Sequence, residues 1–287
     1  MTASAIAEIP NVRLSLSNSA ENVVLVRQAL SGLADTIALD ALELNDIKTA
    51  VSEACNNVVL HAYDGAEGPL EVDICGHPAG LCVMVRDRGR GMPPLNGVVR
   101  EPQAIGGIGL PVIQALADDV EFRDLDEGGT EVRMEFATAR RGALQQPQEA
   151  DGLDRASAPD PELANSASIA VAPITLARTI LPRVLSALAA RAYFSTDRIS
   201  DTQLLADTLV AHADDSLSSS HLNITVSATP RNLELHIGPL YRGRADTLIN
   251  DRAVDGLGCM LQQLADGHEV TSAGPTEVLA LHLAERR

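Results

Sequence analysis

A break in patterning constrains this chain more than any other feature. Over residues 140–172 the sequence is rich in Gln, Ala, Pro, Asp and Ser, including Gln145-Gln-Pro-Gln148 and Ser157-Ala-Pro-Asp-Pro161, with no sustained hydrophobic period. Such composition reads as a linker. In a chain of 287 residues it leaves two segments, 1–139 and 173–287, each the size of an ordinary domain.

The two segments echo each other in order. Gly107-Ile-Gly109 recurs as Gly256-Leu-Gly258, Leu116-Ala-Asp118 as Leu264-Ala-Asp266, and Thr130-Glu-Val132 as Thr276-Glu-Val278. Each echo alone is within chance, but a common order marks an internal duplication. In the first segment, apolar residues at helical spacing predict helices over 21–33 and 44–63, the latter through Ile47, Val51, Ala54, Val58 and Ala62. Runs at 70–75 and 81–86 predict a hairpin, 110–117 a helix, and 120–123 with 131–136 two further strands joined through Asp126-Glu-Gly-Gly129. Residues 222–227 and 233–237, around a Pro-Arg-Asn turn, repeat the first hairpin in the second segment. The expected fold is α/β, a two-layer sandwich with helices on one face of a mixed sheet, present twice with the second copy degenerate.

Composition narrows the partners. A formal charge of −17 opposes nonspecific nucleic-acid binding. No basic n-region followed by a long apolar stretch opens the chain and no run of about 18 apolar residues occurs, so a cytoplasmic protein without membrane association is expected. Cys55, Cys75, Cys82 and Cys259 form neither a CxxC pair nor a His-rich ligand set, which predicts reduced buried thiols rather than zinc or disulfides. With no Trp, three Tyr and three Phe, the cores must be aliphatic.

Three clusters in the first segment carry chemistry. Glu53 and Asn57 stand at i and i+4, so a helix presents a carboxylate and an amide on one side. Facing a magnesium nucleotide, the amide oxygen suits the hard cation and the carboxylate suits proton acceptance; a solvated polar stripe is the alternative. Asp87 ends an apolar run and precedes Gly89 and Gly91, so it can accept from an exocyclic amine while the glycines admit a flat ring, or it can close an ordinary Asp-x-Gly turn. Gly106, Gly107 and Gly109 precede a helix whose first N–H groups could receive phosphate oxygens.

Taken together, Ile47-Lys-Thr-Ala-Val-Ser-Glu53-Ala-Cys-Asn-Asn57-Val-Val-Leu-His61-Ala-Tyr63, Val85-Arg-Asp87-Arg-Gly89-Arg-Gly91-Met92 and Gly107-Ile-Gly109-Leu110 resemble the N, G1 and G2 boxes of the histidine-kinase-like (GHKL) ATPase superfamily. Within it the resemblance is to the bacterial anti-sigma-factor serine/threonine kinases, over residues 12–137. It implies a Bergerat ATP-binding fold with ATP and Mg2+ as cofactors. Glu53 would be the catalytic base, Asn57 the magnesium ligand and Asp87 the adenine-binding carboxylate. Gly89 and Gly91 would border the base, Gly107 and Gly109 would contact the phosphates, Leu110 would belong to the ATP-binding set, and Thr130 would assist adenine recognition. His61 is expected to make a structural hydrogen bond, and Arg27 is the candidate for a partner-facing arginine on the first helix.

The implied function is phosphorylation of a serine on an anti-anti-sigma (STAS-type) protein, together with sequestration of a sigma factor. The alternative is a nucleotide-gated module that sequesters its partner without significant phosphotransfer, motivated by a short lid over 92–106 with Arg100 as its sole basic residue. In the second segment, aligning the echoes puts Thr208, His212 and Pro239 near the places of Glu53, Asn57 and Asp87. A pseudo-domain is therefore expected; because relatives commonly dimerise, it would take a partner subunit's place in an intramolecular pseudo-dimer, the alternatives being a sensory or docking module and a homodimer.

Overall fold

Period-two alternation builds the first strand, β1 (Val12–Ser17). Its Val12, Leu14 and Leu16 enter the main core, and Arg13, Ser15 and Ser17 alternate toward the other face. The computed structural model describes residues 9–91, 109–126, 128–147, 166–250 and 260–286. After β1 come α1 (Ala20–Ile37) and α2 (Ala41–Asn57), the hairpin β2 (Pro69–His77) and β3 (Gly80–Asp87), α3 (Gly109–Leu116), and the hairpin β4 (Asp119–Asp124) and β5 (Thr130–Ala137). Leu70, Val72 and Ile74 of β2, Leu81, Val83 and Val85 of β3, and Val132, Met134 and Phe136 of β5 continue the buried face on which the helices lie.

Helix starts follow local chemistry. Ser19 caps α1 by accepting from Glu21 N–H. Asp40 opens α2 with a capping box: its carboxylate accepts the Leu42 and Glu43 N–H groups at 2.8 Å, and Glu43 accepts the Asp40 N–H at 2.9 Å. The expected single helix over 44–63 is α2 followed by a π-helical turn, Val58–Ala62.

The second half repeats the plan as β6 (Ser166–Val171), α4 (Ala177–Arg191), α5 (Thr196–Ala213), β7 (Leu222–Thr229), β8 (Asn232–Tyr241), α6 (Arg244–Asn250), α7 (Met260–Leu264), β9 (Gly267–Ala273) and β10 (Thr276–Ala284). All ten strands join one sheet in the order β4-β5-β3-β2-β1-β6-β7-β8-β10-β9. Each half contributes its strands in mirrored order about the β1–β6 pair, where Val12 lies opposite Val171 and Ser15 opposite Ser168. On the helical side of that seam α1 packs on α4. The Thr36 and Thr179 hydroxyls meet at 2.8 Å, Arg183 reaches Asp35 at 2.6 Å, and Gly32 lies directly against the Thr179–Ile180 backbone.

The Leu-Ala-Asp echo has a structural reason. Asp118 accepts the Ala137 N–H at 2.6 Å and donates its own N–H to Glu135 O. Asp266 accepts the Ala284 N–H at 2.8 Å and donates to His282 O. Both carboxylates thus close a terminal hairpin in the same way. The Gly256-Leu-Gly258 echo lies outside the described residues.

Three expectations need correction. Every pairing between the described strands is antiparallel, so the sheet is not mixed. Ser166–Val171, inside the expected linker, is strand β6, because its alternate residues Ala167, Ile169 and Val171 complete the core beside β1. The first part of that linker is anchored too. Leu144 is buried in the core, its carbonyl packs on Gly76, and Gln145 O accepts from the Asn11 amide at 2.7 Å.

Cys75 and Cys82 face each other across the β2–β3 register, and with Cys55 they are buried reduced thiols; Cys259 lies outside the described residues. Among the described residues no helix is long and apolar enough to cross a membrane.

Candidate nucleotide site

Helix α2 brings its carboxylate and amide to one place. A β-carbon built on Gly109, the first residue of α3, would stand 3.0 Å from Glu53 Oε2 and 3.4 Å from Asn57 Oδ1. Only a glycine leaves that space open, so both polar groups converge on the amino terminus of α3, where backbone N–H groups lack helical partners. Leu110, by contrast, packs its half-buried side chain against the core. Gly106, Gly107 and the lid with Arg100 lie outside the described residues.

The second wall is the end of β3. Asp87 follows Val85 on the helical face and is 6% exposed. Burial raises its carboxyl above the ordinary aspartate value, against the lowering effect of hydrogen bonds from the Gly89 and Thr130 backbone N–H groups. The Gly89 bond is 2.8 Å long. Thr130, the first residue of β5, thus meets Asp87 through its main chain.

Tight backbone contacts clamp this strand end. A β-carbon on Gly89 would overlap the Ala62 carbonyl group, with its carbon only 2.7 Å away, and one on Gly129 would sit 2.7 Å from Arg88 Cα. Gly89 therefore serves close packing against the turn after α2. Gly91 has φ +73° and faces Asp124. The Tyr63 hydroxyl donates to Pro69 O at 2.6 Å and accepts the Arg88 N–H at 2.7 Å, and Ala62 O accepts the Arg90 N–H at 3.1 Å.

The sequence assigns Tyr63, Ala62 and Gly129 no role of their own in the site, because their contributions are contacts between segments distant along the chain. The Gly128-Gly129 pair was the available signal, and it read only as a turn. Among the described residues nothing hydrogen-bonds the exposed His61 ring, so the structural hydrogen bond expected for it is absent there. Arg27 is exposed on α1 and donates to Ser52 Oγ at 2.9 Å, beside Glu53.

Behind the site, on the sheet face away from the helices, Arg86 joins Asp73 at 2.5 Å and Glu131 at 2.6 Å, and Arg13 holds Asp73 from β1 at 2.7 Å. Arg88 pairs with Glu71 at 3.0 Å. A cavity of about 240 Å³ beside these groups also touches Asp87. Its walls from Glu71 and Arg86 put it back to back with the place where Glu53 and Asn57 converge.

Helices on one face of an antiparallel sheet, with a helix-borne carboxylate and amide facing a helix amino terminus, make an α/β sandwich of the Bergerat type. Residues 16–136 match the family described as "Histidine kinase-like ATPase domain". The chain is 31% identical over 143 residues to "Serine-protein kinase RsbW" of Bacillus pumilus, covering 45% of this chain and 88% of that protein. It is 33% identical over 141 residues to "Serine-protein kinase RsbW" of Listeria monocytogenes, covering 45% and 89%. The chain belongs, through its first half, to the anti-sigma-factor serine/threonine kinase family of the GHKL superfamily. A solved structure described as crystal form I of TP0453 covers 97% of this chain at 10% identity, with a TM-score of 0.37 that is too low for a fold comparison.

Proposed function

We propose that the first half is an ATP-dependent serine kinase acting on an anti-anti-sigma (STAS-type) protein, and that the chain also sequesters a sigma factor. The observation that carries this reading is the convergence of Glu53 and Asn57 on Gly109, in a cradle that a β-carbon would fill. Asp87, buried with two backbone donors, suits an adenine amine: its charged form is an acceptor whose geometry is already fixed. The residues present therefore fit Mg-ATP.

Asn57 Oδ1 would hold the cation and the amino terminus of α3 would receive phosphate oxygens. Glu53 would accept the proton of the incoming serine hydroxyl and orient it. When bound, Mg-ATP supplies the γ-phosphoryl group and the cation that offsets charge developing on it. Arg27, exposed on α1 and bonded to Ser52 Oγ beside Glu53, would meet the protein substrate.

The second half is proposed to bind no nucleotide and to stand where a partner subunit would, making the chain an intramolecular pseudo-dimer. Thr208 Oγ1 donates to Leu204 O within α5, and Pro239 O, near the counterpart of Asp87, is taken by the Ser218 N–H at 3.0 Å. With β6 on the β1 edge and α4 on α1, the first half's seam is already covered from within the chain.

The test is transfer of labelled γ-phosphate from Mg-ATP to a panel of STAS-type proteins. Serine labelling that disappears in Glu53→Gln, with ATP binding retained, is the expected result. ATP binding without transfer to any candidate would overturn the kinase assignment and leave a nucleotide-gated binding module.

A further inference from the structure

We propose that Tyr63 is a positioning residue for the adenine end of the site, its hydroxyl setting the direction in which β3 delivers Asp87. The inference rests on the nucleotide reading given above. In the β2–β3 ladder the last paired residues are Leu70 and Asp87, so the next rung would join Pro69 and Arg88. The Tyr63 hydroxyl occupies that rung. It donates to Pro69 O at 2.6 Å and accepts the Arg88 N–H at 2.7 Å, replacing one ladder bond by two bonds through an inserted oxygen.

The insertion spreads the strand ends apart at the peptide that follows Asp87. One residue earlier, Ala62 O accepts the Arg90 N–H and packs on Gly89. Residues 62 and 63 thus draw residues 88–90 away from β2 and toward the end of the helix that carries Asn57. Burial pushes the Tyr63 phenol up to about 12, so the hydroxyl keeps the proton it donates. The ring packs separately, against Gly68.

Tyr63→Phe keeps that ring packing and removes only the inserted oxygen. The Arg88 N–H can then close directly onto Pro69 O, so the fold loses little while Asp87 is turned from the base. Asp87 would recognise the exocyclic amine of adenine, and inosine triphosphate carries a carbonyl in its place. That difference separates positioning from plain structural support.

The experiment titrates wild type, Tyr63→Phe and Asp87→Asn calorimetrically with Mg-ATP and with Mg-ITP, alongside thermal unfolding of the free proteins. Wild type should prefer ATP, and Asp87→Asn should lose the preference. Tyr63→Phe should weaken ATP binding about tenfold, leave ITP binding within about twofold, and unfold near the wild-type midpoint. Unchanged ATP affinity in Tyr63→Phe, or equal losses for ATP and ITP, overturns the proposal while leaving the nucleotide site in place. Failure of wild type to bind ATP removes the nucleotide reading and this proposal with it.

Discussion

Gly32→Ala tests the seam between the halves, because two effects predict opposite signs. In an exposed helix interior the change stabilises by about 1 kcal/mol, since alanine loses less backbone freedom on folding. At this position the new β-carbon would overlap Thr179 O and lie 2.7 Å from Ile180 Cα. Carbon atoms in contact prefer roughly 3.5–4.0 Å, so α1 and α4 would have to separate by about 1 Å. Both obstructing atoms are main chain and cannot rotate aside.

Overpacking of this kind costs about 1–3 kcal/mol. Separation also strains the Thr36–Thr179 hydroxyl pair, worth about 1 kcal/mol, which roughly offsets the propensity gain. The expected outcome is net destabilisation of about 1–3 kcal/mol, read as a lower midpoint in equilibrium urea unfolding of the full chain. A midpoint equal to or above wild type would refute the close approach of α1 and α4, and with it the shared seam.

Arg86→Met should destabilise by about 3 kcal/mol in the same assay, because it leaves the buried Glu131 with only the Arg123 guanidinium at 3.7 Å and removes half of the Asp73 pairing. The double change with Glu131→Met should recover much of that loss, and an additive double variant would contradict a coupled pair. Burial raises the Asp87 carboxyl above its ordinary 3.8, so the folded chain binds that proton more tightly than the unfolded chain. This group therefore favours folding increasingly as pH falls from above the raised value toward 3.8, whereas ATP affinity falls over the same window; Asp87→Asn should weaken ATP binding and lose both dependences. Calorimetry should count one Mg-ATP per chain, and two would overturn the degenerate second site.

Much of the first half was legible because its signals are local. Helical spacing through Ile47, Val51 and Ala54 foretold α2, and the i to i+4 placement of Glu53 and Asn57 fixed their common side. What each side faced was not legible. Gly109 meets Glu53 across more than fifty residues of chain, and the Gly89–Ala62 and Gly129–Asp87 contacts join segments whose residues carry no mutual pattern. Ser166–Val171 was hidden for another reason: Ser-Ala-Ser-Ile-Ala-Val alternates correctly, but its small residues and its setting beside a Pro- and Gln-rich stretch mask the period.

The sequence by itself determined most elements of the first half, the doubled plan and the residue types of a candidate nucleotide site, since propensity, alternation and motif order act within short spans. Only the tertiary structure decided that the two plans share one antiparallel sheet, that β6 covers the β1 edge, and that Tyr63 stands in the ladder next to Asp87. Edge pairing and backbone approach are set by which surfaces meet when the apolar faces are buried, and no local stretch of sequence encodes that meeting on its own.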